Sequence, residues 1–430
     1  MPLVVLMYVL NYIDRVNISF AKESLETDAG ISTAAYGLGA GLFFIAYAVL
    51  EVPSNMLLER FGAKAWLTRI MISWGVVSAC MMFVQGPTSF YILRLLLGAT
   101  EAGFFAGVIF YFVQWFPRSH LARANGWLFT GSIISTIIAG PLSGLLLGMH
   151  GFAGLRGWQW MFLIEGIASV IVGLVIWCFL VSKPQDATWL TAEEKSALLT
   201  QLEAEKADRA VDSEAKTSRW KMLADPQILL FCFIYFAAQL AIYSVTFWLP
   251  TIIRGFGGLT DWEVGLLSAV PYIFAAVAIY IAGRASDRTG WRKAVLASGF
   301  VVAAIGTAMM TMNAPVLALI ALILAACGFK VAASSFYVIP QSYFPAAVSA
   351  TGIALINSIG NLGGFAAPTM LGYVQNATGD VGRAFLVVSG FCVLAALGVG
   401  LTRYRRKDAV APTRSTATIP AEPDPTASGR

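Results

Sequence analysis

Apolar runs of about twenty residues recur from one end of this chain to the other, and that repetition limits what it can fold into. A helix needs about 20 apolar residues to cross a bilayer. Such runs lie at about 3–24, 36–58, 66–85, 89–113, 122–148, 159–181, 227–252, 264–284, 294–312, 315–338, 347–374 and 382–402. They predict an all-α membrane protein with twelve transmembrane helices. Only 12% of the 430 residues are charged, about half the fraction usual in a soluble domain. That argues against a soluble enzyme. A net charge of +5, scattered along the chain, argues against a nucleic-acid partner. The spread of the runs argues against a soluble domain on a single anchor.

Motifs for other membrane functions are absent from the sequence. There is no HExxH, GxSxG or GxxxxGK[ST], so neither an intramembrane metalloprotease nor an ATP-driven pump is indicated. Cys80, Cys178, Cys232, Cys327 and Cys392 form no CxxC pair, and the two histidines, His120 and His150, fall in polar connections. Metal and cofactor are both expected to be none. The first run carries Asp14 and Arg15 and no cleavage signal, so it reads as a span, not a signal peptide. Because the chain starts abruptly there, a short leader is expected to be missing.

The long polar stretch at 183–225 divides the runs into six and six. The expected organisation is a six-helix bundle at 1–182, a cytoplasmic linker at 183–225, a second bundle at 226–403 and a disordered tail at 404–430. A surface helix is expected in the linker from Thr191 to Arg209, behind a Thr-Ala-Glu-Glu start. With the amino terminus inside, the short inner loops carry Arg60, Lys64, Arg118, Arg123, Arg284, Arg288, Arg292 and Lys293. The outer loops carry only Lys22, Arg156, Arg254 and Arg383. That bias favours both termini in the cytoplasm and a cell-membrane location. An internal repeat agrees with the division. Glu59-Arg60-Phe61-Gly62 follows span two and Asp287-Arg288-Thr289-Gly290 follows span eight, 228 positions on. An acid–Arg–x–Gly loop at matching places in two halves points to a duplicated transporter.

Ionisable residues in mid-span are costly and are functional candidates by default. Here they are Asp14, Arg15, Glu51, Arg94, Glu101 and Lys330, with Arg69 and Glu165 nearer span ends. Arg94 and Glu101 are seven apart, about 10 Å along one helix face. Asn11, Asp14 and Arg15 read as one polar face. Two acids and two arginines at similar depth neutralise each other when the site is empty. A substrate carboxylate that takes an arginine removes the support of the neighbouring acid, which then accepts a proton. This makes Asp14 and Glu101 the expected proton carriers and Arg15 and Arg94 the expected substrate ligands. A structural ion-pair network locking the helices together is the alternative. Glu51, beside Pro53, reads as structural or gating. The second half offers neutral groups, among them Gln239, Asn357 and Asn361, plus Lys330, which is placed to read a second carboxylate or, alternatively, to snorkel.

The loop Gly283-x-x-x-Asp287-Arg288-x-Gly290-x-Arg292-Lys293 resembles the loop signature of the major facilitator superfamily; the first copy departs from it, with Asn55 and Glu59 in place of Gly and Asp. Asn11-Tyr12-Ile13-Asp14-Arg15-Val16-Asn17, Glu51-Val52-Pro53-Ser54-Asn55, Arg94 to Gly103, Gly157-Trp158-Gln159-Trp160 and Asn357 to Gly364 resemble the anion:cation symporter branch. The resemblance implies two pseudo-symmetric six-helix bundles and alternating access. It also implies proton symport of a small organic anion such as a sugar acid, tartrate or phthalate. It places Tyr12 and Tyr47 at the substrate site and Glu59, Arg60, Gly62, Asp287, Arg288 and Gly290 in gating loops. The expected partners are the anion, protons and the bilayer, with the carrier a monomer. An uncoupled facilitator or exchanger is a further reading. A drug-efflux antiporter is disfavoured, because Gly140-Pro141-Leu142-Ser143-Gly144 only partly matches the antiporter signature.

Overall fold

The computed structural model describes residues 1–212, 225–312, 314–343 and 346–403, and no strand occurs among them. The expected disorder of the tail at 404–430 and the linker stretch 213–224 fall outside the described residues. Proline at the first helical turn opens span one (Pro2–Val16), the first segment of span four (Pro87–Glu101), span seven (Pro226–Arg254) and span ten (Pro315–Phe336). Its fixed φ suits that position and its missing N–H costs nothing there. Spans two (Thr33–Phe61), three (Ala63–Cys80), five (Arg118–Leu147) and six (Gly157–Phe179) complete the first half. Spans eight (Asp261–Thr289), nine (Arg292–Met309) and twelve (Gly382–Leu401) belong to the second. By length and composition ten helices are able to cross a membrane, and the bent opening pair makes an eleventh. Span eleven is divided into Ala346–Gly360 and Leu362–Thr378, each short of a full crossing.

The outer surface is apolar, as a lipid-facing surface must be. Span twelve buries Phe385, Val388, Cys392 and Ala395, yet exposes Leu386, Val393, Leu394 and Leu397. A helix that is apolar all round is a buried or membrane helix. Span three packs on span six, and their counterparts nine and twelve pack on each other. The two bundles meet where span two lies on span eleven and span five lies on span eight. Glycines permit this approach: Gly37 faces Pro368 and Gly372, and Gly140 faces Gly265.

Three helices differ from the continuous spans expected. Span one stops at Val16, turns through a 3-10 segment at Asn17–Ser19, and is followed by a separate helix, Lys22–Ala29, bent by 52°. Span four breaks at Ala102, where Gly103 takes a φ of +84° and the chain restarts as Phe104–Trp115. The freed Ala102 carbonyl accepts the Ser54 hydroxyl at 2.6 Å, and Trp66 donates to that same hydroxyl at 3.0 Å. Irregular backbone at membrane depth survives only when its polar groups are satisfied within the protein. Span eleven breaks at Asn361. In the linker the expected helix runs Ala192–Asp212. Its start is closed by Thr191 and Glu194, each bonding the other's backbone N–H. Those bonds hold the Glu194 carboxyl below its ordinary range.

Candidate substrate and proton site

The break in span four leaves Glu101 as the last residue of its helix segment, facing span one. There it forms an ion pair with Arg15. Glu101 is 1% exposed and Arg15 16%. The guanidinium lies 5.9, 5.3 and 5.4 Å from the ring centres of Tyr12, Phe43 and Tyr47, a cation–π cage with one open side. Tyr243 closes the cage from the second half; its ring packs 4.4 Å from that of Phe44.

Arg94 is placed differently from Arg15. It is 1% exposed, and its Nε donates to the Gly39 carbonyl at 3.4 Å. It meets Phe43 from a second direction at 5.1 Å, and its Nη2 has no partner. Gly98 lets span four press on the Phe43 backbone, which seals Arg94 between spans two and four. The two arginines thus share one phenyl ring, and only Arg15 is open to the space between the bundles.

Asp14 corrects the expected single polar face on span one. Consecutive helical residues point about 100° apart, so Asp14 and Arg15 face different neighbours. Asp14 is 2% exposed and turns into the first bundle, where Trp74, Ser78 and Asn17 all donate to it. No arginine pairs with it among the described residues. Asn11, on the same helix, is buried with its Nδ2 unpartnered.

The second half supplies the neutral lining. Asn361, at the break in span eleven, accepts from Gln239 at 2.8 Å, and Asn357 accepts the Tyr337 hydroxyl at 2.5 Å. Tyr235 stacks on Phe336 at 5.1 Å and meets Tyr337 at a tilt at 5.4 Å. Lys330 lies 5.7 Å from the Tyr12 ring centre and 5.9 Å from that of Tyr272. No carboxylate pairs with it among the described residues. Tyr12 is therefore flanked by two cations, Arg15 and Lys330, one from each bundle. Both charges lie within about 12 Å of one another through that ring.

One end of this space is closed. Phe44 meets Tyr243 and Phe247, and Tyr36 meets Trp248 edge-on at 5.7 Å. Beyond them Arg254 bonds Asp261 at 2.7 Å and reaches Glu23 at 3.7 Å, tying the bundles together. The two acid–Arg–x–Gly stretches lie at the opposite end, and not in loops as expected: the acid and arginine sit in the last turns of spans two and eight, and the glycine follows each helix. Glu59, Arg60, Asp287 and Arg288 are exposed there. Gly62 and Gly290 adopt φ of +83° and +68°, so both need a positive φ, though only Gly290 is in the left-handed helical conformation. Among the described residues no ion pair crosses from Glu59 or Asp287. Phe43, Tyr235, Tyr272 and Trp74 are residues around this site that sequence reading passes over. They look like ordinary apolar filler in spans this rich in aromatic side chains.

Residues 4–368 match the family model of the Major Facilitator Superfamily. The chain belongs to that superfamily. It is 42% identical over 397 residues to a protein named "Putative tartrate transporter" from Agrobacterium vitis, covering 92% of this chain and 88% of that one. It is 40% identical to a quinolone resistance transporter of Acinetobacter baumannii, covering 90% and 89%. Its fold is similar to the inward-open xylose transporter XylE from E. coli, with a TM-score of 0.77 and 15% identity, covering 95% of this chain and 96% of that one. This major facilitator protein is a multi-pass membrane transporter of organic substrates and not an enzyme.

Proposed function

We propose that this transporter imports a small organic dianion, of the tartrate class, together with protons. The Arg15–Glu101 pair carries the reading: the substrate site contains its own carboxylate, held on the arginine that a substrate carboxylate needs. A bound substrate takes the guanidinium by two parallel N–H···O bonds. Glu101, left without its cation in a low-dielectric space, then takes a proton. Release of the substrate restores the internal pair and expels the proton. The two steps are coupled because one guanidinium serves two carboxylates in turn.

Lys330 supplies the reason for a dianion. Arg15 and Lys330 flank one ring, and hydrogen bonds of about 3 Å at each end of a short dicarboxylate span such a gap. Gln239, Asn357 and Asn361 suit hydroxyls between the two ends. The relatives named for tartrate support this class, and the quinolone relative favours efflux of a larger aromatic substrate as a second reading. Moving parts are the bundles at 1–182 and 226–403, joined by the linker at 183–225. The basic loops favour both termini in the cytoplasm, which makes the closed end the outer one.

Lys330→Gln tests the dianion. It should weaken binding of tartrate about tenfold more than binding of a monocarboxylate analogue of similar size, since only the dianion loses a charge-assisted bond. Calorimetric titration of the purified carrier with both ligands measures this. Equal losses for the two ligands remove Lys330 from the substrate site.

A further inference from the structure

Asp14 is half of a second acidic centre. Asn17, in the 3-10 turn after span one, donates through Nδ2 to Asp14 at 3.1 Å and to Glu165 of span six at 2.6 Å. Glu165 is 4% exposed. It reads as a span-end residue in the sequence, yet it lies in the core of the first bundle. Its Oε1 is buried without a partner, and so is the Asn17 Oδ1. No cation pairs with either acid among the described residues.

We propose that Asp14 and Glu165, bridged by Asn17, form one carboxyl pair that holds a transported proton, separate from the Arg15–Glu101 switch. This rests on the proton-symport reading above and adds Glu165 to it. Two carboxylates joined by one amide in a low-dielectric core repel one another, which favours uptake of one proton by the pair. A proton on Glu165 Oε1 turns an orphaned acceptor into a donor. The proton arrives from water on one side of the membrane and leaves to water on the other, so the pair alternates between one and two negative charges.

The surroundings favour a proton over a metal cation. Span three brings the Trp74 N–H and Ser78 hydroxyl to Asp14 as donors, so donors occupy both Asp14 oxygens, which a metal cation would need as ligands. Span three's Arg69 lies over the Trp66 ring at 4.7 Å instead. Span five has no Asp, Glu, Lys or Arg from Ala124 to Leu147, and Glu165 is the one such residue in span six. Span four contributes the charges of Arg94 and Glu101, neither within ion-pairing distance of Asp14 or Glu165.

The test is the pH profile of tartrate uptake by Glu165→Gln in proteoliposomes, joined to infrared difference spectra between acid and alkaline pH in H2O and D2O. The variant should bind tartrate within about threefold of wild type at acid pH. Its half-maximal uptake should move toward acid by about one pH unit, because Asp14 no longer shares its proton with a neighbouring acid. The deuterium-sensitive band of a buried protonated carboxyl should change in Glu165→Gln and persist in Glu101→Gln. Asn17→Ala keeps both acids and removes the bridge; it should shift the profile too, and it serves if Glu165→Gln does not fold. An unchanged profile and an unchanged band overturn the pair and leave Glu165 a structural acceptor. Wild-type uptake that ignores an imposed pH gradient overturns the symport reading instead, while the band still reports whether Glu165 binds a proton.

Discussion

Replacing Arg15 with lysine should lower apparent tartrate affinity by about one to two orders of magnitude, because a bond to a charged group is worth about 1.5–3 kcal/mol. Lysine keeps the charge. It loses the planar fork that binds both carboxylate oxygens and the flat face that lies among the rings of Tyr12, Phe43 and Tyr47. Saturation of uptake under a fixed pH gradient measures the loss. Arg94→Lys is the comparison. Sealed behind Phe43 and bonded to the Gly39 carbonyl, Arg94 should influence affinity less than Arg15 does. The opposite ranking would show that the bundle opens around span four and that Arg94 is the principal anion ligand.

Glu101→Gln should abolish accumulation of substrate against its gradient while exchange of internal for external substrate continues. The amide cannot take up and release the proton that links substrate to the driving force. A second readout separates this from simple damage. The substitution leaves Arg15 without its buried partner when the site is empty, and an uncompensated charge at such a site is destabilising. The empty variant should therefore melt below wild type, and saturating tartrate should restore much of the difference, because the substrate carboxylate replaces the missing one. A variant that still concentrates tartrate removes Glu101 from proton coupling.

The long apolar runs, the polar stretch between the sixth and seventh of them, and the mid-span charges were all legible in the sequence. Long apolar runs and mid-span charges carry their own physical signature. What was not legible is where the helices break and which charge meets which. The turn at Ala102 depends on Ser54 of another span, whose hydroxyl donates to the freed carbonyl, and no local pattern around Gly103 distinguishes it from the packing glycines Gly98 and Gly107. Asp14 and Arg15 are neighbours in sequence, but the helix rotates them into different environments. Arg15 finds its acid 86 positions away. Glu165 was visible as a lone carboxylate in an apolar run; its distance from Asn17 was not, because that contact spans 148 residues.

The account stands most directly on whether an inward proton gradient drives substrate uphill. The measurement is uptake of labelled tartrate into proteoliposomes of the purified wild-type carrier, acid outside, with no tartrate gradient at the start. Accumulation above equilibrium that collapses on adding a protonophore is the predicted result. Equilibration to equal concentrations, with the same rate in the presence and absence of the pH gradient, would contradict it.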